Sequence, residues 1–242
     1  MIEIKNLHKS FGENKVLRGV DLDIETGETL VIIGRSGCGK SVLIKHIVGL
    51  LYPDEGYVMV EGQRVNEMNM EELYKLRSKF GFLFQGSALF DSMTVEENVS
   101  LPLVESGRKY SRAELEKKVA EKLEMVGMRD VQTLKPAELS GGMKKRVGLA
   151  RALITDPDYI FYDEPTTGLD PIMSDSIDDL IKELTDKLNV TSVVVTHDMY
   201  SVKNVANEVA MMHEGKIYFI GKPTELLSSN DSVIKEFIQR TE

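Results

Sequence analysis

The stretch Thr29-Leu30-Val31-Ile32-Ile33-Gly34-Arg35-Ser36-Gly37-Cys38-Gly39-Lys40-Ser41 decides how this chain of 242 residues folds. Residues Thr29 to Ile33 run apolar without alternation, the pattern of a strand covered on both faces. Gly34 to Ser41 fit G-x-x-x-x-G-K-[ST], and Lys40 to Leu51 follow at helical spacing. Strand, glycine turn and helix in that order make an anion cradle. The glycines let backbone N–H groups turn inward, and the helix N-terminus adds partial positive charge. Lys40 is then placed to reach the β- and γ-phosphates of a nucleotide, and the Ser41 hydroxyl to ligate Mg²⁺.

Outward from this unit, Ile2, Ile4, Leu17, Val20, Leu22 and Ile24 alternate, predicting two or three early strands. Tyr52-Pro53-Asp54-Glu55-Gly56 ends the helix, and Tyr57–Val60 and Phe80–Phe84 read as strands. From about Met93 to Ile154 the pattern predicts helices only, with capping-box spacing at Thr94/Glu97 and Ser111/Glu114. Strands return at Tyr159–Tyr162 and Val190–Thr196, separated by a helix from about Ser174 to Leu188. A short helix, a hairpin turning at Glu214-Gly215 and a closing helix over Asp231–Gln239 complete the pattern. The order α/β, all-α, α/β predicts a parallel sheet carrying a helical subdomain.

Composition narrows the function classes. With 42% hydrophobic and 29% charged residues the chain can bury a real core. Thirty Lys+Arg against 39 Asp+Glu give a net charge of −9, which argues against nucleic-acid partners bound through phosphate neutralisation. Cys38 is the single cysteine, so no internal disulfide or multi-cysteine zinc site is expected, and a reducing compartment fits. Within the cradle Cys38 reads as a small neutral filler, with a redox sensor as the alternative. The start, Met1-Ile2-Glu3-Ile4-Lys5, lacks a signal-peptide pattern. Runs such as Leu30–Ile33 fall far short of the roughly 20 residues of a membrane span, so a membrane role is expected only through another chain.

Four further residues join the cradle. Tyr159-Ile160-Phe161-Tyr162-Asp163-Glu164 is an apolar strand ending in two carboxylates. Neighbours on a strand face opposite ways, so the two share a site only if the backbone turns there. Asp163 is expected to hold Mg²⁺ through water, and Glu164 to orient and deprotonate an attacking water. His197 follows Val193-Val194-Val195-Thr196 at the edge of a parallel sheet where ligands bind, and there it can donate to the γ-phosphate. Gln85 closes the Phe80–Phe84 strand, either as a polar cap or, beside the cradle, as a contact to the metal or the lytic water.

The string Leu139-Ser140-Gly141-Gly142-Met143 precedes a helical stretch, and Gly168-Leu169-Asp170 follows soon after Glu164. With the motifs above, the whole chain resembles an ABC-transporter ATPase subunit. The resemblance implies a P-loop NTPase core with a mainly parallel sheet, an N-terminal antiparallel β-subdomain and an inserted α-helical subdomain. It implies a single ABC ATPase domain over 1–242, with the nucleotide-binding core at 1–90 and 155–242 and the helical subdomain at 91–154. Phe11 matches the aromatic that stacks on adenine. Gly34, Arg35, Ser36, Gly37, Cys38, Gly39, Lys40 and Ser41, with Val42 beyond, match the P-loop, and Gln85 the Q-loop. Ser140, Gly141 and Gly142 match the signature, Asp163 and Glu164 the acidic strand, Asp170 the D-loop and His197 the switch histidine. In such relatives the signature of one copy faces the P-loop of a second, so ATP with Mg²⁺ is held between two chains.

Two positions depart from the pattern. Met143 stands where glutamine is common, leaving a polar contact to the nucleotide unsupported, and Phe11 replaces the more frequent tyrosine while keeping its stacking face. The segment Leu83-Phe84-Gln85-Gly86-Ser87-Ala88-Leu89-Phe90-Asp91-Ser92-Met93-Thr94-Val95, with Met143-Lys144-Lys145-Arg146 and Tyr162-Asp163-Glu164-Pro165, is similar to the MCE-associated, Mla-type phospholipid branch. That likeness implies an integral-membrane permease and an MCE-domain protein as partners, and a place on the cytoplasmic face of the inner membrane. Phe84, Leu89, Phe90 and Met93 lie where relatives receive the permease, although part of this group also fits a helical core. Lys144, Lys145 and Arg146 are expected to form a solvated helix face. The competing class is a soluble ABC ATPase acting on nucleic acid or ribosomes, or a subunit serving another transported substrate.

Overall fold

The computed structural model describes residues 1–241. Strand β3 (Thr29–Gly34) is buried at every position because it lies inside a sheet with packed layers on both faces. It pairs in parallel with β8 (Thr191–Val195) and β9 (Glu208–His213). Next to β8 come β7 (Tyr159–Asp163) and then β6 (Phe80–Leu83), both parallel. The hairpin strand β10 (Lys216–Gly221) closes the other edge antiparallel to β9. Among the described residues this sheet has the order β10-β9-β3-β8-β7-β6, the mainly parallel arrangement expected.

Side chains on these strands divide between two cores. Val31, Ile33, Ile160, Tyr162 and Val194 enter a cluster with the helices, whereas Leu30, Ile32, Phe161, Val193 and Val195 enter a second cluster on the other face. That division is why the strands read as continuous apolar runs. The second cluster is closed by an antiparallel sheet of β1 (Ile2–Phe11), β2 (Asn14–Ile24), β4 (Glu55–Val60) and β5 (Gln63–Arg64), in the order β2-β1-β4-β5. Ile2 lies opposite Ile24 and Val60, and Ile4 opposite Leu22 and Val58, so the period-2 apolar residues of three strands share one buried face. Between the sheets runs α1 (Lys40–Ile47), with Leu43 and Ile47 in the same core.

Between β6 and β7 the chain forms α3 (Val95–Glu105), α4 (Arg112–Met125) and α5 (Gly141–Leu153). Both predicted capping boxes are present, at Thr94/Glu97 and Ser111/Glu114. Helix α5 lies close on β6. A Cβ at Gly81 would come within 2.4 Å of the Ala152 carbonyl oxygen, so only glycine fits there.

Some boundaries differ from the sequence pattern. Helix α1 stops at Ile47 rather than Leu51, because Gly49 (φ 66°) turns left-handed; Leu50 N–H then bonds the Lys45 carbonyl and Gly49 N–H that of His46. Helix α6 (Pro171–Leu188) starts before Ser174, since Asp170 accepts from the Met173 N–H at 3.0 Å and Pro171 occupies the first turn. Helix α2 (Met70–Arg77) adds to the elements read from the sequence; Asn69 and Glu72 make its capping box. The chain finishes with α7 (Met199–Val205), α8 (Pro223–Leu227) and α9 (Ser232–Thr241). Among the described residues no helix is long and apolar enough to cross a membrane.

Candidate active site

The C-terminal ends of β3, β8, β7 and β6 meet at one edge of the sheet. Register places Asp163 beside Val195, and Val195 beside Ile32. A cavity of about 750 Å³ opens there. Gly34, Arg35, Ser36, Gly37, Gly39, Lys40, Ser41 and Val42 form one wall; Phe11 and Val16 of the antiparallel sheet form another. Gln85, Asp163, Glu164 and His197 approach from the strand tips.

The backbone explains the cradle. Gly34, Gly37 and Gly39 adopt φ values of 151°, 78° and 108°, and a Cβ on Gly34 would lie 2.5 Å from the Met212 carbonyl oxygen. Gly39 caps α1 without a side-chain acceptor, and the first turn carries no acidic residue. The leading amides and the partial positive charge of the helix end are therefore left for an anion. The Lys40 ammonium donates to the Gly34 carbonyl at 2.6 Å and the Arg35 carbonyl at 3.3 Å. Cys38 does not line the cavity; it packs against the core beneath, next to Gly34, and burial pushes its thiol up.

At the tip of β7 the turn that the two carboxylates require is present. Glu164 has φ 50°, its N–H bonds the Val195 carbonyl at 2.8 Å, and both Asp163 and Glu164 reach the cavity. Thr167 Oγ1 donates to Glu164 Oε2 at 3.1 Å, and His197 Nδ1 lies 3.0 Å from Glu164 Oε1. Burial pushes the Asp163 carboxyl up and Glu164 adds to it, while the Lys40 and Lys145 ammonium groups oppose the shift. No group of three or more His, Cys, Asp or Glu among the described residues could hold a metal alone. Ser41, Gln85 and Asp163 offer hard oxygen donors beside the cradle, which fits Mg²⁺ completed by phosphate oxygens and water.

Ser140, Gly141, Gly142 and Asp170 lie off this cavity. Ser140 caps α5 by accepting from the Met143 N–H; Gly141 lies against Leu169, just before α6, and Gly142 against Met173 in its first turn. The Ser140-Gly141-Gly142 helix start and the Asp170 cap of α6 thus lie side by side, and none of these residues lines the cavity of its own chain.

The expectation for Lys144 to Arg146 requires correction. Lys145 is only 4% exposed and donates to the carbonyl oxygens of Gln85 and, at 3.1 Å, Glu164. Arg146 donates to the Val126 carbonyl and to Ser176 Oγ at 2.7 Å. Lys145 is enclosed and Arg146 half-buried because α5 is wedged between β6 and the other helices. A helical signal existed, since Lys145 shares a stripe with Gly142, Leu149 and Ala152, all buried.

The expected closing helix is present as α9, but its place at the site is not legible in the sequence: Phe237, Arg240 and Thr241 line the cavity. Glu236 pairs with both Arg35 of the P-loop and Arg240, each at 2.8 Å. Nothing local in the sequence marks that contact. Of the apolar group Phe84, Leu89, Phe90 and Met93, Phe84 and Phe90 are 47% and 52% exposed and line a separate apolar groove with Tyr74 and Pro102, whereas Leu89 packs into the helical core.

The family model described as ABC transporter matches residues 17–167. The chain is 40% identical over 237 residues to the probable ribonucleotide transport ATP-binding protein mkl of Mycobacterium leprae, covering 98% of this chain and 68% of that protein. It is 38% identical over 239 residues to the intermembrane phospholipid transport system ATP-binding protein MlaF of Haemophilus influenzae, covering 99% of this chain and 90% of that one. Among solved structures, the ATP-binding cassette MJ0796, a dimer in a post-hydrolysis state with ADP and Pi, matches with TM-score 0.83 and 35% identity, over 92% of this chain and 99% of that one.

Proposed function

The chain belongs to the ABC transporter family as an ATPase subunit, and we propose that it powers an integral-membrane permease that moves phospholipid together with an MCE-domain protein. The observation that carries the reading is the convergence of the cradle, Gln85, Asp163, Glu164 and His197 on one cavity. The backbone amides from Gly34 to Ser41 and the Lys40 ammonium bind the β- and γ-phosphates, and Phe11 stacks on the base. Lys40 exchanges its present carbonyl partners for phosphate oxygens. Ser41, Asp163 and Gln85 would hold Mg²⁺, which would supply neutralisation of the phosphate charge.

Glu164 orients water and takes its proton as the water oxygen bonds to the γ-phosphorus. The bond from that phosphorus to the β-γ bridging oxygen breaks, leaving ADP and inorganic phosphate. His197 donates to the γ-phosphate and, through Glu164, helps fix the base in place.

The domain reading follows: one ATPase unit, with the nucleotide-binding core at 1–90 and 155–242 and the helical subdomain at 91–154. A second copy supplies Ser140, Gly141, Gly142 and Asp170 to the cradle. Their position off the cavity of their own chain supports this, as does the dimeric state described for MJ0796. The permease docks at the groove lined by Phe84 and Phe90, which holds this subunit on the cytoplasmic face of the inner membrane.

Phospholipid as cargo is supported by the likeness to MlaF over 90% of that protein. The mkl relative, described as a ribonucleotide transport protein, is the observation favouring another cargo. Affinity purification from membranes separates these readings: a co-purifying permease with an MCE-domain protein supports phospholipid, and a permease without one supports another cargo. Recovery of ribosomes or nucleic acid instead, an outcome the net charge of −9 disfavours, would overturn the transporter assignment.

A further inference from the structure

Lys145 lies one turn into α5, the helix that begins at the Ser140 cap. A buried ammonium is expensive unless its donors find acceptors. Here the acceptors are main-chain oxygens of two separate loops, those of Gln85 after β6 and Glu164 after β7. Both loops present their side chains to the nucleotide cavity. Glu164 also holds a left-handed backbone (φ 50°), unusual for a residue with a side chain, and its carbonyl is one of the points at which that turn is tied down. A further guanidinium of α5, from Arg151, donates to the Ser87 and Ala88 carbonyls, so the segment after Gln85 is held to the helix at more than one place.

We propose that Lys145 is a positioning residue: it couples α5, and with it the Ser140-Gly141-Gly142 helix start, to the backbone that aims Glu164 and Gln85. A helix moves as a stiff body, so a contact made at its Ser140 end shifts the Lys145 ammonium and both carbonyls bound to it. Closure on nucleotide at the signature is thereby transmitted to the base without any contact between Lys145 and ATP. This inference rests on Glu164 being the base.

The test is Lys145→Met, which keeps length and removes the donors, beside Lys145→Arg, which restores charge and N–H groups. ATP turnover and nucleotide affinity are measured on the purified full chain. The expected result is a fall in kcat of roughly 10- to 100-fold in Lys145→Met, the scale set by a misplacement of about 1 Å. The KM and Kd for ATP should stay within about 2-fold, and Lys145→Arg should recover most of the loss. A kcat in Lys145→Met within about 2-fold of the parent, or a loss that appears mainly in Kd, overturns the proposal. If Lys145→Met does not fold, Lys145→Gln decides by the same split between kcat and Kd. Glu164→Gln separates the two levels: an active Glu164→Gln removes the base assignment itself, whereas an inactive Glu164→Gln beside an active Lys145→Met removes only the role of Lys145.

Discussion

His197 Nδ1 lies 2.9 Å from Glu164 Oε2, although the two residues are 33 apart in the chain. They meet because β7 and β8 are parallel neighbours whose ends lie in register, Asp163 beside Val195. The left-handed turn at Glu164 then swings its carboxylate along the edge of the sheet toward the residue that follows Thr196. The proposed base and the imidazole beside it are thus delivered by two independent strands, a geometry that suits proton abstraction from water.

Replacing Glu164 by Gln keeps the shape and the contact with His197 but removes the proton acceptor. Phosphate release should fall by at least about 100-fold while ATP binding persists and the ATP-bound dimer lives longer. Phosphate release at the parental rate would refute the assignment.

Lys40→Ala removes the only ammonium lining the cavity among the described residues. Calorimetric titration with ATP should show affinity reduced by about 100-fold or more, with the fold intact, because the lysine hydrogen bonds only to the loop carbonyls of Gly34 and Arg35. Unchanged ATP affinity would count against the cradle.

Phe11 is an exposed ring on the cavity wall, with the Lys9 ammonium 5.8 Å from its centroid. Phe11→Ala should weaken ATP binding by roughly 10-fold, and Phe11→Tyr should leave it nearly unchanged, since stacking on a base is worth about 1–3 kcal/mol and needs only the π-face. Equal affinities for Phe11→Ala and the parent would place the base elsewhere.

Asp178 of α6 is fully buried; Ser201 of α7 donates to its Oδ2 at 2.8 Å, and its Oδ1 has no partner. Burial raises this carboxyl from 3.8 to about 7, with nearby Asp198, Asp175 and Asp179 adding to the shift and Ser201 opposing it. Between those values the folded chain holds a proton that the unfolded chain has released. Its stabilising contribution is therefore full at acid pH and is lost as pH rises through about 7. Asp178→Asn, a mimic of the protonated acid, should gain stability relative to the parent on going from about pH 5 to pH 8, by on the order of 2–4 kcal/mol. Urea unfolding at the two pH values measures this, and a difference independent of pH would show that Asp178 does not titrate in that range.

What the sequence determined by itself was whatever depends on neighbours along the chain. The glycine spacing of Gly34 to Ser41, the boxes at Thr94/Glu97 and Ser111/Glu114 and the apolar run Thr29 to Ile33 each encode a local hydrogen-bond pattern or a burial period, and each is present in the fold. The box at Asn69/Glu72 is of the same local kind and is equally legible. Tertiary structure alone decided which distant groups share the cavity. Lys145 looked like one charge in a basic run, and its burial follows from α5 being wedged against β6. Arg35 reaches Glu236 only because Ile234 and Phe237 seat α9 against the helical core beside the P-loop. Such contacts join segments far apart in the chain, and their positions are set by how layers pack, a quantity that no local period records.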